Sequence, residues 1–92
     1  MEEKAKQVAE LLKVLANENR LLILCLLIEG PMTVGELSTN ISNITQSAIS
    51  QHLSMLKAHG ILDSTKKGQN ITYFIHDDRI LSVIEILKEK YC

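Results

Sequence analysis

The segment from Thr45 to Leu56 carries side chains whose types and spacing suit hydrogen bonding to DNA bases. Its short polar residues are Gln46, Ser47, Ser50, Gln51 and Ser54. Gln can form paired hydrogen bonds with adenine in the major groove, and Ser can bond to bases or to phosphates. An ordinary surface helix usually carries Lys and Glu in helical pairs, and no such charge occurs between Gln46 and Leu56. The composition therefore favours base readout.

The apolar residues of this segment have helical spacing. Leu53 and Leu56 follow Ile49 at i+4 and i+7, so the three residues form one stripe that is predicted to be buried. The polar residues then point away from the stripe or lie on its flanks. We predict a recognition helix here, which Gly60 ends in a left-handed conformation.

A β-hairpin with a basic tip is predicted directly after this helix. Apolar residues alternate from about Ile61 to Lys66 and again from Ile71 to Ile75, on either side of a Lys67-Gly68 turn. Such a hairpin is typical of the wing of a winged helix-turn-helix, whose tip lies against the DNA backbone or in the minor groove. Besides the recognition helix, the residues predicted to contact DNA are Lys57, Lys66, Lys67 and Gln69.

Four more helices are needed to position these parts. The first is predicted from Glu2 to about Leu15, and the second from a break at Asn17–Asn19 to Ile28 or Glu29. The third begins at a capping box, Thr33–Glu36, and runs to about Ile41. The last begins at a cap, Asp77 or Asp78, and runs to the chain end. The turn before the recognition helix is Ser42–Thr45, with Thr45 or Asn43 as the cap. The predicted fold is mostly α with a β-hairpin wing, in a single domain over residues 1–92.

The first and last helices carry apolar stripes that a small core does not need. The stripes are Ala5, Val8, Leu12 and Leu15 in the first helix, and Ile80, Val83, Ile84, Leu87 and Tyr91 in the last. We therefore predict a homodimer through these two helices. A two-fold dimer presents its recognition helices to the half-sites of an inverted repeat in double-stranded DNA, ~34 Å apart.

The distribution of charge and the hydropathy of the chain bear on its partners and its location. The net charge is -1, but the part from Leu37 to His76 has a balance of +2 and the remainder has -3. The positive charge thus coincides with the predicted DNA-binding elements. The longest apolar run, Leu21 to Ile28, is far shorter than the ~20 residues of a membrane span, and the charged N-terminus does not resemble a signal peptide. We expect a cytoplasmic protein without membrane association.

An enzyme is not expected. The sequence has no Gly-rich phosphate loop, no paired carboxylates beside an apolar segment and no Cys near a His. No cofactor is therefore predicted. One non-enzymatic alternative is a winged-helix protein-interaction module, in which the polar helix face binds a protein instead of DNA.

The chain resembles the ArsR/SmtB family of dimeric winged-helix repressors over nearly its whole length. The residues that carry the resemblance are Leu15-Ala16-Asn17-Glu18-Asn19-Arg20-Leu21-Leu22-Ile23-Leu24, Val34-Gly35-Glu36-Leu37, Gln46-Ser47-Ala48-Ile49-Ser50-Gln51-His52-Leu53, and Lys67-Gly68 with Tyr73. The resemblance implies that Gln46, Ser47, Ser50 and Gln51 contact the major groove, which is the face that helical periodicity also selects.

The two metal sites common in that family lack matching ligands here. Thr33 and Gly35 replace the third-helix thiolates, and the last-helix site keeps Asp77 but has Arg79 at its next ligand position. Two histidines of the recognition helix, at i and i+7, lie ~10 Å apart along the helix, too far to share an ion. We expect no metal site. Of these two, we expect His52 to bond to the backbone, and His59 to interact with the helix dipole or a phosphate.

The two cysteines, Cys25 and Cys92, resemble the persulfide- and redox-sensing branch of the family, which includes biofilm-growth repressors and a haemolysin activator. The resemblance implies that a second-helix thiol faces one at the end of the last helix, and that a disulfide or polysulfide between them releases DNA. Lys88, at i−4 from Cys92, makes Cys92 the expected attacking thiol. Alternatively, Cys25 is a small hydrophobic residue, the cysteines are inert, and the regulator responds to a metal or another ligand.

Overall fold

The computed structural model describes all of residues 1–92, which form five helices and three short strands. The helices are α1 (Glu2–Leu15), α2 (Glu18–Leu27), α3 (Val34–Asn40), α4 (Gln46–Ala58) and α5 (Asp78–Tyr91), and the strands are β1 (Met32–Thr33), β2 (Leu62–Lys67) and β3 (Asn70–Ile75). The predicted helices and the hairpin are all present within a few residues of their expected bounds. The winged helix-turn-helix architecture is therefore confirmed.

Side-chain caps define where four of the helices begin. In each case a short polar side chain accepts a hydrogen bond from a backbone N–H of the first turn, which stabilises the helix by about 1 kcal/mol. The capping residues are Asn17 for α2, Thr33 for α3, Thr45 for α4 and Asp77 for α5. At α3 the Glu36 carboxylate also accepts from the Thr33 N–H, which completes the predicted capping box.

The wing is the larger part of a three-stranded antiparallel sheet with strand order β1-β3-β2. Leu62 pairs with Ile75 at the base of the hairpin and Lys67 pairs with Asn70 at its tip, so Gly68 and Gln69 form the turn. Gly68 adopts a φ of 64°, a conformation that glycine enters without steric cost. Strand β1 was not predicted, because a two-residue strand shows no alternation in the sequence.

The hydrophobic core lies between α2, α3, α4, α5 and the base of the wing. It contains 14 buried residues, all apolar. The apolar stripe of α4 lies at the centre of this core, since Ile49, Leu53 and Leu56 are each 0% exposed. Helix α1 contributes Val14 and Leu15 to this core, and its half-buried Leu11 packs against it.

The predicted stripes of α1 and α5 are largely exposed on the single chain. Val8 and Leu12 of α1 are 51% and 54% exposed, and Val83 of α5 is 41% exposed. Only Ile80 and Ile84 of the α5 stripe enter the core. No helix combines the length and the apolar character that crossing a membrane requires.

Candidate nucleic-acid interface and cysteine pair

Helix α4 presents a polar face on the side opposite the buried stripe. Of the five predicted base-reading residues, four are exposed and Ser50 is half-buried. The side chains of α4 that form hydrogen bonds are His52 and Lys57, and His59, which follows the helix as its C-cap, forms another. The donors and acceptors of Gln46, Ser47, Ser50, Gln51 and Ser54 are therefore free to bond to another molecule.

The wing is attached to the end of this helix by one side-chain contact. The Lys57 Nζ donates a hydrogen bond of 2.8 Å to the Ser64 Oγ on β2. Lys66, Lys67 and Gln69 are exposed at the wing tip, as predicted. The Lys57–Ser64 bond was not foreseen, because no spacing rule relates residues of two different elements. It adds a side-chain link to the buried packing of Ile61 and Leu62 at the base of the wing.

A second contact joins α4 to the elements behind it. The Arg20 Nη1 lies 3.5 Å from His52 Nδ1, and the Arg20 Nε donates to the Val14 carbonyl at the end of α1. Burial, and then the Arg20 charge, lower the pKa of His52. Since guanidinium only donates, Nδ1 accepts and the neutral ring carries its proton on Nε2. The predicted bond from His52 to the backbone was wrong.

The other histidine of α4 interacts with its own helix end. His59 Nδ1 lies 2.9 Å from the Met55 carbonyl oxygen, so this nitrogen carries the proton and donates. This contact with a carbonyl of the last turn agrees with the expected position near the helix dipole. No group of three or more His, Cys, Asp or Glu side chains is placed to hold a metal ion.

The two cysteines lie on helices that pack together, although they belong to distant parts of the sequence. Helices α2 and α5 pack together, and this places Cys25 beside the end of α5. Cys25 is half-buried against the core, Cys92 is exposed, and both thiols are free. Burial raises the pKa of Cys25, the neighbouring Cys92 raises it further, and the Lys88 ammonium lowers it. Lys88 bonds to the Cys25 carbonyl and precedes Cys92 by one helical turn, so the three residues form a cluster at the end of the α2–α5 contact.

Lys88 joins the two helices at this cluster. Its Nζ lies 2.7 Å from the Glu29 Oε1 and donates a longer bond, of 3.5 Å, to the Cys25 carbonyl. The hydrogen bond from Lys88 lowers the pKa of Glu29, and the same bond raises the pKa of Lys88. An open cleft of about 430 Å³ lies beside the pair, lined by Ile28, Glu29, Glu85, Lys88, Glu89 and Cys92.

The fold and the free polar face of α4 define a winged helix-turn-helix DNA-binding regulator. The match to known proteins then identifies the family. Residues 17–64 match the model of the bacterial regulatory protein arsR family. The chain belongs to the ArsR family of transcriptional regulators, and the prediction that it is a regulator and not an enzyme is confirmed by its relatives.

Two curated relatives are similar over the whole chain. The transcriptional activator HlyU of Vibrio cholerae is 39% identical over 92 residues, which is 100% of this chain and 84% of that protein. The biofilm growth-associated repressor of Agrobacterium fabrum is 38% identical over 92 residues, or 100% of this chain and 78% of that protein. The family resemblance predicted from the sequence is thus confirmed, and these relatives include both an activator and a repressor.

Solved structures show the same fold. The structure of reduced HlyU from Vibrio cholerae superimposes with a TM-score of 0.92 at 39% identity, covering 100% of this chain and 96% of that one. The homodimeric winged helix-turn-helix DNA-binding domain of Mb0332 from Mycobacterium bovis gives a TM-score of 0.80 at 28% identity, covering 94% of this chain and 79% of that one.

Proposed function

We propose that the chain is a homodimeric, sequence-specific repressor whose operator binding is lost when Cys25 and Cys92 become linked. The observation that carries this proposal is the placement of two free thiols at the contact between α2 and α5, in a protein whose α4 face is free to bond to bases. A solved relative is described as reduced HlyU, and this supports a redox-dependent state in the family.

In this proposal α4 enters the major groove and the wing lies along the backbone. Gln46, Ser47, Ser50, Gln51 and Ser54 read base edges or nearby phosphates, while Lys57, Lys66, Lys67 and Gln69 contact the backbone. Few cations take part, so binding has a shallow dependence on salt concentration. In this proposal the protein binds double-stranded DNA and does so in the cytoplasm.

The exposed apolar residues of α1 and α5 form the subunit contact of the proposed dimer. Large apolar side chains of both helices are between a third and a little over a half exposed on the single chain, among them Val8, Leu12, Val83, Ile86 and Leu87. A continuous apolar surface of this kind marks an interaction site. The homodimeric state of the Mb0332 domain supports a second copy of this chain as the partner.

The thiol chemistry takes place in two balanced steps. The exposed Cys92 thiolate attacks the outer sulfur of a small persulfide, forms a Cys92 persulfide and releases the thiolate of the donor. The Cys25 thiolate then attacks the Cys92 Sγ and expels hydrosulfide, which leaves a disulfide within one protomer. The sulfane sulfur is reduced and the two thiols are oxidised. The new bond changes how α5 packs on α2, and with it the spacing of the two recognition helices.

The test compares operator binding by the reduced protein before and after treatment with a persulfide donor, with intact mass measured in parallel. We expect a loss of affinity together with a mass showing an intraprotomer Cys25–Cys92 link. The Cys25→Ser and Cys92→Ser variants should bind as the reduced protein does and should keep their affinity after treatment. Unchanged affinity in a protein that carries the link would show that the cysteines do not control DNA binding.

A further inference from the structure

We propose that Lys88 is a positioning residue of the thiol switch: anchored by Glu29, its ammonium holds the end of α5 against α2 and favours the thiolates that react. This inference rests on the proposed dithiol function and assigns a role to a residue outside the two cysteines.

The contact brings one charged residue from each side of the α2–α5 packing together. Lys88 precedes Cys92 by four positions, one helical turn along α5, and Glu29 lies in the turn that follows α2, four positions after Cys25. The Glu29–Lys88 ion pair of 2.7 Å then closes the gap between the two helices. Lys88 also bonds to the Cys25 carbonyl, so the ammonium lies against the backbone of the residue that carries the α2 thiol, and its charge lowers the pKa of that thiol.

The charges around the cleft make this ammonium important. Three carboxylates line it, those of Glu29, Glu85 and Glu89, and Lys88 is the cation among its lining residues. A thiolate and an anionic persulfide are both repelled by carboxylates and attracted by an ammonium. Lys88 also opposes the two influences that raise the pKa of Cys25, namely burial and the neighbouring Cys92. Without Lys88, Cys92 would react in a cleft whose charged lining residues are all carboxylates.

The flank of α5 that carries Lys88 and Cys92 differs from the flank that faces α1. Arg79, Ile80 and Val83 border a groove with α1, whereas Glu85, Lys88 and Cys92 border the cleft beside α2. The cleft therefore lies on a different flank of α5 from the groove with α1.

The test uses the reduced, full-length protein and the variant Lys88→Gln, with Lys90→Gln as the matched control. Lys90 has the same charge on the same helix, is exposed and does not border the cleft. The measurements are the pH profile of alkylation at each cysteine, by mass spectrometry, and the rate of Cys25–Cys92 linking with a persulfide donor. We expect Lys88→Gln to move the alkylation profile of Cys25 to higher pH and to slow linking by about 3- to 10-fold, where tenfold corresponds to one pKa unit. Lys90→Gln should match the wild type, and Lys88→Arg should recover most of the rate.

The outcomes separate this inference from the proposed function. If the wild type links but Lys88→Gln gives the same profile and rate, the role of Lys88 is wrong and the dithiol function stands. If the wild type does not link at all, the proposed function itself fails. Should Lys88→Gln not fold, Glu29→Gln keeps the ammonium and removes its anchor. Slower linking with nearly unchanged alkylation of Cys92 would then support the inference, and unchanged linking would overturn it.

Discussion

In the proposed function, Ser47 and Gln51 belong to a base-reading surface built from short uncharged side chains. Both are exposed on α4, and neither is engaged by a hydrogen bond within the chain. A charged side chain at these positions would bind phosphates of any sequence, because backbone contacts position the protein and base contacts specify the sequence. In the proposed function, the two residues therefore contribute more to sequence specificity than to overall DNA affinity.

We expect Ser47→Ala and Gln51→Ala each to weaken operator binding by about 1–3 kcal/mol for each base that the side chain no longer bonds to. Binding to unrelated DNA should change little, and the fold should be kept, since both side chains point to solvent. Titration of both variants on operator and scrambled DNA measures this difference. Ser82→Ala, at an exposed position of α5, is the control. Equal reductions on both DNA sequences would assign these residues to the backbone.

The recognition face was predictable from the sequence, whereas several side-chain contacts were not. Helical spacing of Ile49, Leu53 and Leu56 fixes which residues face outward, and all three are buried as predicted. The Arg20–His52 and Glu29–Lys88 contacts join residues far apart in the chain. No local pattern determines which distant side chains meet, so these contacts required the packed structure.

At the scale of elements, Arg20 connects three helices. It lies in the first turn of α2, donates to the Val14 carbonyl at the end of α1, and contacts His52 of the recognition helix. In the proposed dimer α1 lies at the subunit contact, so Arg20 joins the subunit contact to the DNA-reading helix. The contact between α2 and α4 thus includes a half-buried imidazole that accepts this hydrogen bond only while it is neutral.

Acidification should therefore destabilise the fold through His52. Burial and Arg20 lower its pKa in the folded chain below the ordinary 6.5. As pH falls through 6.5, His52 becomes protonated in the unfolded chain before it does in the folded chain. The free energy of unfolding is therefore highest above that pH and decreases below it. The urea midpoint measured from pH 7.5 to pH 5 should decline in the wild type and decline less in His52→Asn.

His76→Asn is the control for this experiment, because His76 is exposed and outside α4. It should keep the pH dependence of the wild type. A decline in His52→Asn as steep as in the wild type would show that other groups cause the acid sensitivity.

The order and type of the elements were largely predictable, because caps and turns mark their ends. Thr33 and Glu36 form the expected capping box, and Gly60 has the left-handed φ of 74° that ends α4. Strand β1 was missed because its two residues gain their strand geometry only by pairing with Thr72 and Tyr73 of β3. Tertiary pairing, and not local preference, creates that strand.

At the scale of the whole molecule, the apolar content exceeds what one core accommodates. Leu12 is 54% exposed on α1, and Ile86 is 56% exposed on α5. The sequence stripes predicted that these helices serve a subunit contact, but the stripes alone could not show which members enter the core. Packing assigns Leu15, Ile80 and Ile84 to the core and leaves the others on the surface.

We expect Leu12→Glu to convert the dimer to a monomer, because a charge would be buried without a partner at the subunit contact. Analytical ultracentrifugation should give the wild type a mass of about twice the 10.3 kDa of one chain. The variant should have a mass near that of one chain and should bind the operator much more weakly. Lys13→Glu, at the neighbouring exposed position, introduces the same residue outside the stripe and should remain dimeric. A monomeric wild type would contradict the proposed assembly.

In the proposed dimer, the exposed first half of α1 makes the folding of this segment depend on the concentration of the protein. Every residue from Met1 to Glu10 is exposed, and a helix of 14 residues is only marginally stable alone in water. In the proposed dimer, folding of this segment and association of the subunits therefore become one equilibrium. At low copy number the segment unravels as the subunits separate, and gene dosage then sets the fraction of chains able to occupy an operator.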